Sequence, residues 1–218
     1  MPNLICFPHY TCGGLLCDIL SDSFSMIDNN GGIGSFKGHI GKIGDSSTTF
    51  TEYNPQEFID SVNLINLSRD SWIGTHCWPY QNIVQKFDNV IVITTTTYRS
   101  KIYRWSRAYH HYFAPRWQAM HGMTLIDKAR ETAKNYLISF DPVIAANVIN
   151  LEFADVVEQT AEFASVVQGH DFDQSMERWK QLNSFLYLIN FWNSFEAKIY
   201  FQAEFETQQK RHYIYNFK

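Results

Sequence analysis

Two stretches of this 218-residue chain carry residue types that bind anions. The first is Phe7-Pro8-His9-Tyr10-Thr11-Cys12-Gly13-Gly14-Leu15-Leu16. It follows a short apolar run, Asn3–Phe7, that reads as a buried strand, and it leads into Leu15–Leu20, an apolar stretch with helical potential. A strand that turns through glycines into a helix aims several free backbone N–H groups in one direction, and the helix dipole adds positive potential there. Glycine lets the backbone approach an anion closely. Thr11 offers a hydroxyl, and His9 a cation when protonated. Many strand–turn–helix corners hold two glycines, so this stretch alone is not diagnostic.

The second stretch opens with Thr75-His76-Cys77-Trp78-Pro79, after a candidate strand at Trp72–Thr75. Arg99 follows His76 by 23 residues, just past another strand, and Ser106 and Arg107 lie 7 and 8 residues beyond it. In a parallel sheet successive strands end on one edge, where ligands bind. His76 and Arg99 are then expected to converge with the first loop on one anion, although a buried, hydrogen-bonded histidine is the plainer account of His76 by itself. Charge distribution points the same way. The net charge is −4, so no global attraction to nucleic acid or acidic lipid is expected. Yet the window from Asn89 to Ile126 has no acid and holds Arg99, Lys101, Arg104, Arg107 and Arg116. Such a segment in an acidic chain suits a small polyanion; a solvated basic helix face paired with acids elsewhere has the same composition.

These residues need a scaffold, and the hydropathy pattern supplies one. Val90–Thr96 is β-branched throughout and reads as a central strand. Val148–Phe153 is a further strand candidate. Helices are expected after Asn54-Pro55, over Pro79–Phe87, Arg99–Phe113 and Leu125–Tyr136, from Asp155 to Gln168 before a turn at Gly169, and over most of Phe172–Gln209. Asp28–Ser47 is glycine-rich and loop-like. Its Gly41-Lys42 is not a Walker-type phosphate loop, because Phe36 stands where that motif needs glycine and Ile43 where it needs Ser or Thr. Strands alternating with helices predict an α/β fold: a single domain over 1–218, three layers deep, with a mainly parallel central sheet and a helical C-terminal region over 168–218. Hydrophobic residues at 45% and charged residues at 18% fit a globular chain. Aromatics at 16% serve either a ring-rich core or an apolar cleft.

Three segments of this scaffold resemble the sulfotransferase family, over about residues 4–168. Pro8-His9 with Thr11 to Leu16 resembles the family's 5′-phosphosulfate loop. Thr75-His76-Cys77-Trp78-Pro79 resembles its Thr-His-x-Pro segment, and Arg99 with Ser106 resembles its 3′-phosphate segment. Val148–Val156 is similar to the late strand with an aromatic-Glu-Asp-Leu ending. The differences are specific. His9 stands where Lys or Arg is usual, Cys12 lengthens the loop by one residue, and one extra residue precedes Pro79. Ser106 follows Arg99 by 7 residues rather than 8, with Arg107 in the eighth place, and Ala154 stands where the late strand's Glu is usual. The family's C-terminal nucleotide clamp has no counterpart.

The resemblance implies a P-loop-like fold and transfer of a sulfuryl group from 3′-phosphoadenosine 5′-phosphosulfate (PAPS) to a hydroxyl or amine of a small-molecule or glycan acceptor, without a metal. It implies His76 as base toward the acceptor and His9 as the cation at the bridging oxygen. Nucleotide contacts would come from His9, Tyr10, Thr11, Cys12, Gly13, Gly14 and Leu15 on the 5′ side. Arg99, Ser106 and Arg107 would serve the 3′-phosphate, with Arg104 or Arg107 assisting. The alternative is a catalytically inactive protein of the sulfotransferase fold that recognises a ligand or a partner. A kinase is disfavoured by the missing Walker lysine. A nucleophilic Cys77 or Cys12 is disfavoured because buried thiols are usually inert. The cysteines (Cys6, Cys12, Cys17, Cys77) form no metal-type spacing, and reduced thiols in the cytoplasm are expected. No signal peptide and no membrane span are expected, since no apolar stretch reaches about 18 residues. A homo-oligomer through the C-terminal aromatic helices is open.

Overall fold

Four strands lie side by side, all parallel, in the order β2-β1-β3-β4. They are β1 (Asn3–Cys6), β2 (Trp72–Thr75), β3 (Val90–Thr94) and β4 (Val148–Glu152). Between and after them run the helices α1 (Gly13–Leu20), α2 (Gln81–Val84), α3 (Tyr98–Ala108), α4 (Phe153–Glu158) and α5 (Ala161–Val166). The computed structural model describes residues 3–8, 10–11, 13–20, 72–75, 79–108, 122–124, 127–128, 139–170, 202–203 and 206.

The α/β class with a parallel sheet is therefore as the sequence indicates. Register runs straight across the sheet: Cys6 pairs with Thr75 on one side and with Val92 on the other, and Thr94 with Glu152. β1 and β3 are buried residue by residue, which is why they read as continuous apolar runs instead of alternating ones. β4 differs. Ile149 is 51% exposed and Asn150 is exposed, so β4 lacks the double covering of its neighbours. The carboxamide of Asn150 binds the backbone of Val143 twice, accepting from its N–H at 2.8 Å and donating to its carbonyl at 2.9 Å.

Several boundaries move from their predicted places. Phe87 ends in a turn, so the helix expected over Pro79–Phe87 shortens to α2. The single helix expected from Asp155 to Gln168 is two. Gln159 adopts a left-handed conformation (φ 53°), and the Thr160 N–H bonds back to the Asp155 carbonyl at 3.2 Å, closing α4 before α5 starts. Gly169 turns as predicted, at φ 88°. The loop at Asp28–Ser47, the helix after Asn54, most of Leu125–Tyr136 and nearly all of Phe172–Gln209 lie outside the described residues. Among the described residues no helix is long and apolar enough to cross a membrane.

The amino edge of the sheet is held by asparagines. Asn89 donates to the Asn3 side chain at 2.8 Å, and Asn147 donates to the carbonyls of Val84 and Phe87, both at 2.9 Å. The carboxyl edge carries a different chemistry.

Candidate functional site

The strand order reverses within the sheet. β1 connects to β2 on one side, and the chain then crosses β1 to reach β3 on the other. In doubly wound sheets, ligands sit outside the carboxyl ends of the strands where this reversal occurs. Here that point lies between β1 and β3. The chain leaves β1 at this edge toward α1, and the Thr95–Thr97 connection leaves β3 beside it, with Arg99 in the first turn of α3. β2 reaches the same edge in register, for the Phe7 N–H donates to the Thr75 carbonyl at 2.9 Å. His76 follows Thr75 directly in sequence; His76, His9 and Cys12 themselves lie outside the described residues.

The loop after β1 is built inward. Tyr10 takes a left-handed conformation (φ 67°), and the fully buried Thr11 hydroxyl donates to the Pro8 carbonyl at 2.6 Å. The one proton of the Thr11 hydroxyl is thereby committed within the loop. Gly13 opens α1. A Cβ there would stand 2.0 Å from the Phe7 ring, so glycine at 13 lets the helix start settle on that ring. The resemblance implies a ligand contact for this glycine; packing against Phe7 by itself requires it. Leu15 is 8% exposed and faces the core with Leu16, Ile19 and Leu20.

The turn after β3 has a feature that no motif announced. The carboxylate of Glu152, at the end of β4, gathers donors from the whole turn. Its Oε1 accepts from the Thr94 hydroxyl at 2.8 Å, from the Thr96 N–H at 3.1 Å and from the Thr96 hydroxyl. Its Oε2 accepts from the Ser100 hydroxyl at 2.5 Å, with the Thr97 hydroxyl at 3.1 Å and N–H at 3.4 Å. Ser100 also accepts from the Ala154 N–H at 2.9 Å, tying the first turn of α3 to that of α4. Thr97 caps α3, its Oγ1 accepting from the Ser100 N–H at 3.2 Å. Burial pushes the Glu152 carboxyl up, but the bonds from Ser100, Thr96 and Thr94 outweigh burial, and the group stays ionised below the usual carboxylate range. The sequence held one signal for this arrangement: four consecutive threonines, Thr94 to Thr97, at the end of a β-branched strand.

Of the residues assigned to a 3′-phosphate, Arg99 is accessible. Its side chain is 66% exposed, and its Nε pairs with Glu158 of α4. The same Nε lies 3.3 Å from the Tyr103 hydroxyl, which donates to Glu158 at 2.8 Å. The Tyr103 hydroxyl, then Glu158, hold the Arg99 guanidinium all the more firmly protonated. Burial, reinforced by Glu158, pushes the Tyr103 phenol up against the pull of Arg99.

Ser106 is not brought to Arg99. It stands two turns, roughly 10 Å, farther along α3, is fully buried, and its Oγ has no hydrogen-bond partner among the described residues. A spacing of seven keeps two residues near one helix face but does not decide whether both reach solvent. Arg104 also turns inward. It is fully buried, with Nη1 at 3.3 Å from the Thr95 hydroxyl and 3.2 Å from that of Ser139, and these two hydroxyls bond each other at 2.7 Å. Arg104, which the resemblance names as assisting at the 3′-phosphate, thus spends its Nη1 on hydroxyls inside the fold. Arg107 is half-buried at the last turn of α3. Among the described residues no three His, Cys, Asp or Glu side chains gather as metal ligands would.

Comparison of the chain with family models, with curated proteins and with solved structures finds no match.

Proposed function

We propose that this chain binds a 3′-phosphorylated adenosine nucleotide at the carboxyl edge of β2, β1 and β3, and transfers a sulfuryl group from PAPS to a hydroxyl or amine acceptor. One observation carries the reading. The three sequence segments that resemble sulfotransferase motifs follow three strands that are hydrogen-bonded neighbours, around the reversal between β1 and β3. Segments scattered over some ninety residues of sequence share one edge, as a two-ended nucleotide site requires.

The residues fit such a nucleotide in part. Backbone N–H groups at the start of α1 suit the 5′-phosphosulfate, and the exposed Arg99 suits the 3′-phosphate. Sulfuryl transfer, like phosphoryl transfer, proceeds through a loose in-line transition state stabilised chiefly by positioning and cations. In this reading His9 supplies the cation at the bridging oxygen and His76 accepts the proton of the acceptor. The three-layer sulfotransferase fold, with 168–218 as its helical extension, and a cytoplasmic location belong to the same proposal.

A second reading, binding without turnover, is favoured by a specific observation. Glu152 already takes up the donors at the start of α3, and Ser106 is buried, so the 3′ side has fewer groups for a phosphate than the resemblance implies. Titration with 3′,5′-adenosine bisphosphate tests both readings, because a ligand that binds only the native state raises its stability. A rise in melting temperature together with sulfuryl transfer from PAPS to a phenol or amine supports the enzyme. A rise without transfer to any acceptor selects the binding protein. No rise at millimolar nucleotide refutes both.

A further inference from the structure

Arg99, an exposed cation of the proposed site, is held in a particular way. Arg99 engages its partners through Nε alone: Glu158 pairs with it, and the Tyr103 hydroxyl, 3.3 Å away, closes the triangle by donating to Glu158 at 2.8 Å. The two Nη groups have no hydrogen-bond partner among the described residues, and the side chain is 66% exposed. The anchors are firm where Arg99 is not. Tyr103 is 7% exposed, and it lies four residues after Arg99, on the same face of α3. Glu158 is the last residue of α4, a helix tied to α3 through Ser100.

We propose that Tyr103 and Glu158 are positioning residues that grip Arg99 by its Nε edge and present its two Nη groups, end-on, to a phosphate. This rests on the nucleotide reading above and adds to it which edge of the guanidinium meets the ligand and what sets that edge. Guanidinium binds phosphate strongly when its planar fork is already oriented, since little side-chain freedom is then lost on binding. A free arginine would choose between its side-on and end-on edges; here the side-on edge is occupied.

The test is a binding cycle read by calorimetry with 3′,5′-adenosine bisphosphate, using the full chain. Tyr103→Phe keeps the ring in its slot and removes only the hydroxyl. It is expected to weaken binding about three- to tenfold, within the coupling range of contacting residues, and to have no further effect in an Arg99→Ala background. Glu158→Gln should behave likewise. Equal losses in both backgrounds would mean a structural role and would overturn the proposal, as would no loss in the wild-type background. A second readout needs no ligand. The Arg99 Nε proton should exchange with water more slowly in wild type than in Tyr103→Phe, and equal rates overturn the proposal. Failure of the wild type to bind the nucleotide removes the functional reading and this inference with it; binding without the cycle's coupling removes the inference alone.

Discussion

Neutralising Glu152 should loosen the junction of β3, α3 and α4 by an amount that depends on pH. Two of its bonds, from Thr94 and Ser100, are partly buried, and the others are exposed, where water replaces them at little cost. Hydrogen bonds to a charged group contribute about 1.5–3 kcal/mol each. Two partly buried ones give roughly 3–6 kcal/mol, from which the relieved desolvation of the carboxylate must be subtracted. A net loss of about 2–4 kcal/mol is expected for Glu152→Ala, and about 1–2 kcal/mol for Glu152→Gln, whose amide oxygen still accepts on one side. For a chain of this size each kcal/mol moves Tm by about 2–4 °C, so Glu152→Ala should melt roughly 4–16 °C lower. The sign with pH follows from the lowered carboxyl. A group whose folded pKa lies below its unfolded value stabilises fully above the unfolded value, near ~4.3, and loses this as pH falls through the folded one. The difference between wild type and Glu152→Gln should be constant from pH 7 to about 5 and shrink below about 4. Urea unfolding across that series measures it. A Tm change under 1 °C for Glu152→Ala at pH 7, or a difference that does not shrink in acid, refutes the reasoning.

Other substitutions read other parts of the fold. Gly13→Ala drives a Cβ into the Phe7 ring and should cost about 1–3 kcal/mol, the range for overpacking; Phe7→Leu in the same chain should recover part of that loss in urea unfolding. Ser106→Ala removes a buried hydroxyl with no partner, so it should leave stability unchanged or raise it by up to about 1 kcal/mol, with nucleotide affinity unaltered; a large affinity loss would restore Ser106 to the site. Burial pushes the Cys6 thiol far up, so Cys6 should resist alkylation at pH 8 in the native protein and react on unfolding, as mass spectrometry of the labelled chain would show.

The scaffold was more legible than the chemistry, for physical reasons. Val90–Thr94 is buried on both faces, so its β-branched run could be read without knowing its neighbours. The break at Gln159 was not legible, because a left-handed glutamine leaves no local signature and Thr160 fits a helix as well as a turn. Arg99 and the loop after β1 lie at the carboxyl edge of the sheet, where the strand order puts them. The burial of Ser106 and Arg104 is not legible in sequence, since residues on α3 differ in exposure through tertiary packing and not through helical spacing. Glu152 was noticed as part of a late strand, but its role depends on β3 and β4 lying in register, Thr94 opposite Glu152, across fifty-eight residues of chain.

The position of β1 also sets a timetable for synthesis. Leu4 pairs with Ile73 on one side and with Val90 on the other. Translation at about 5–20 residues per second places both partners outside the ribosome roughly 4–17 s after β1 itself. For that interval the apolar segment Leu4-Ile5-Cys6-Phe7 lacks first both of these partners and then, once β2 is made, still β3. The strand at the middle of the sheet is thus the one whose edges wait longest, and a nascent chain stalled before residue 90 would present it to chaperones and to other copies of itself.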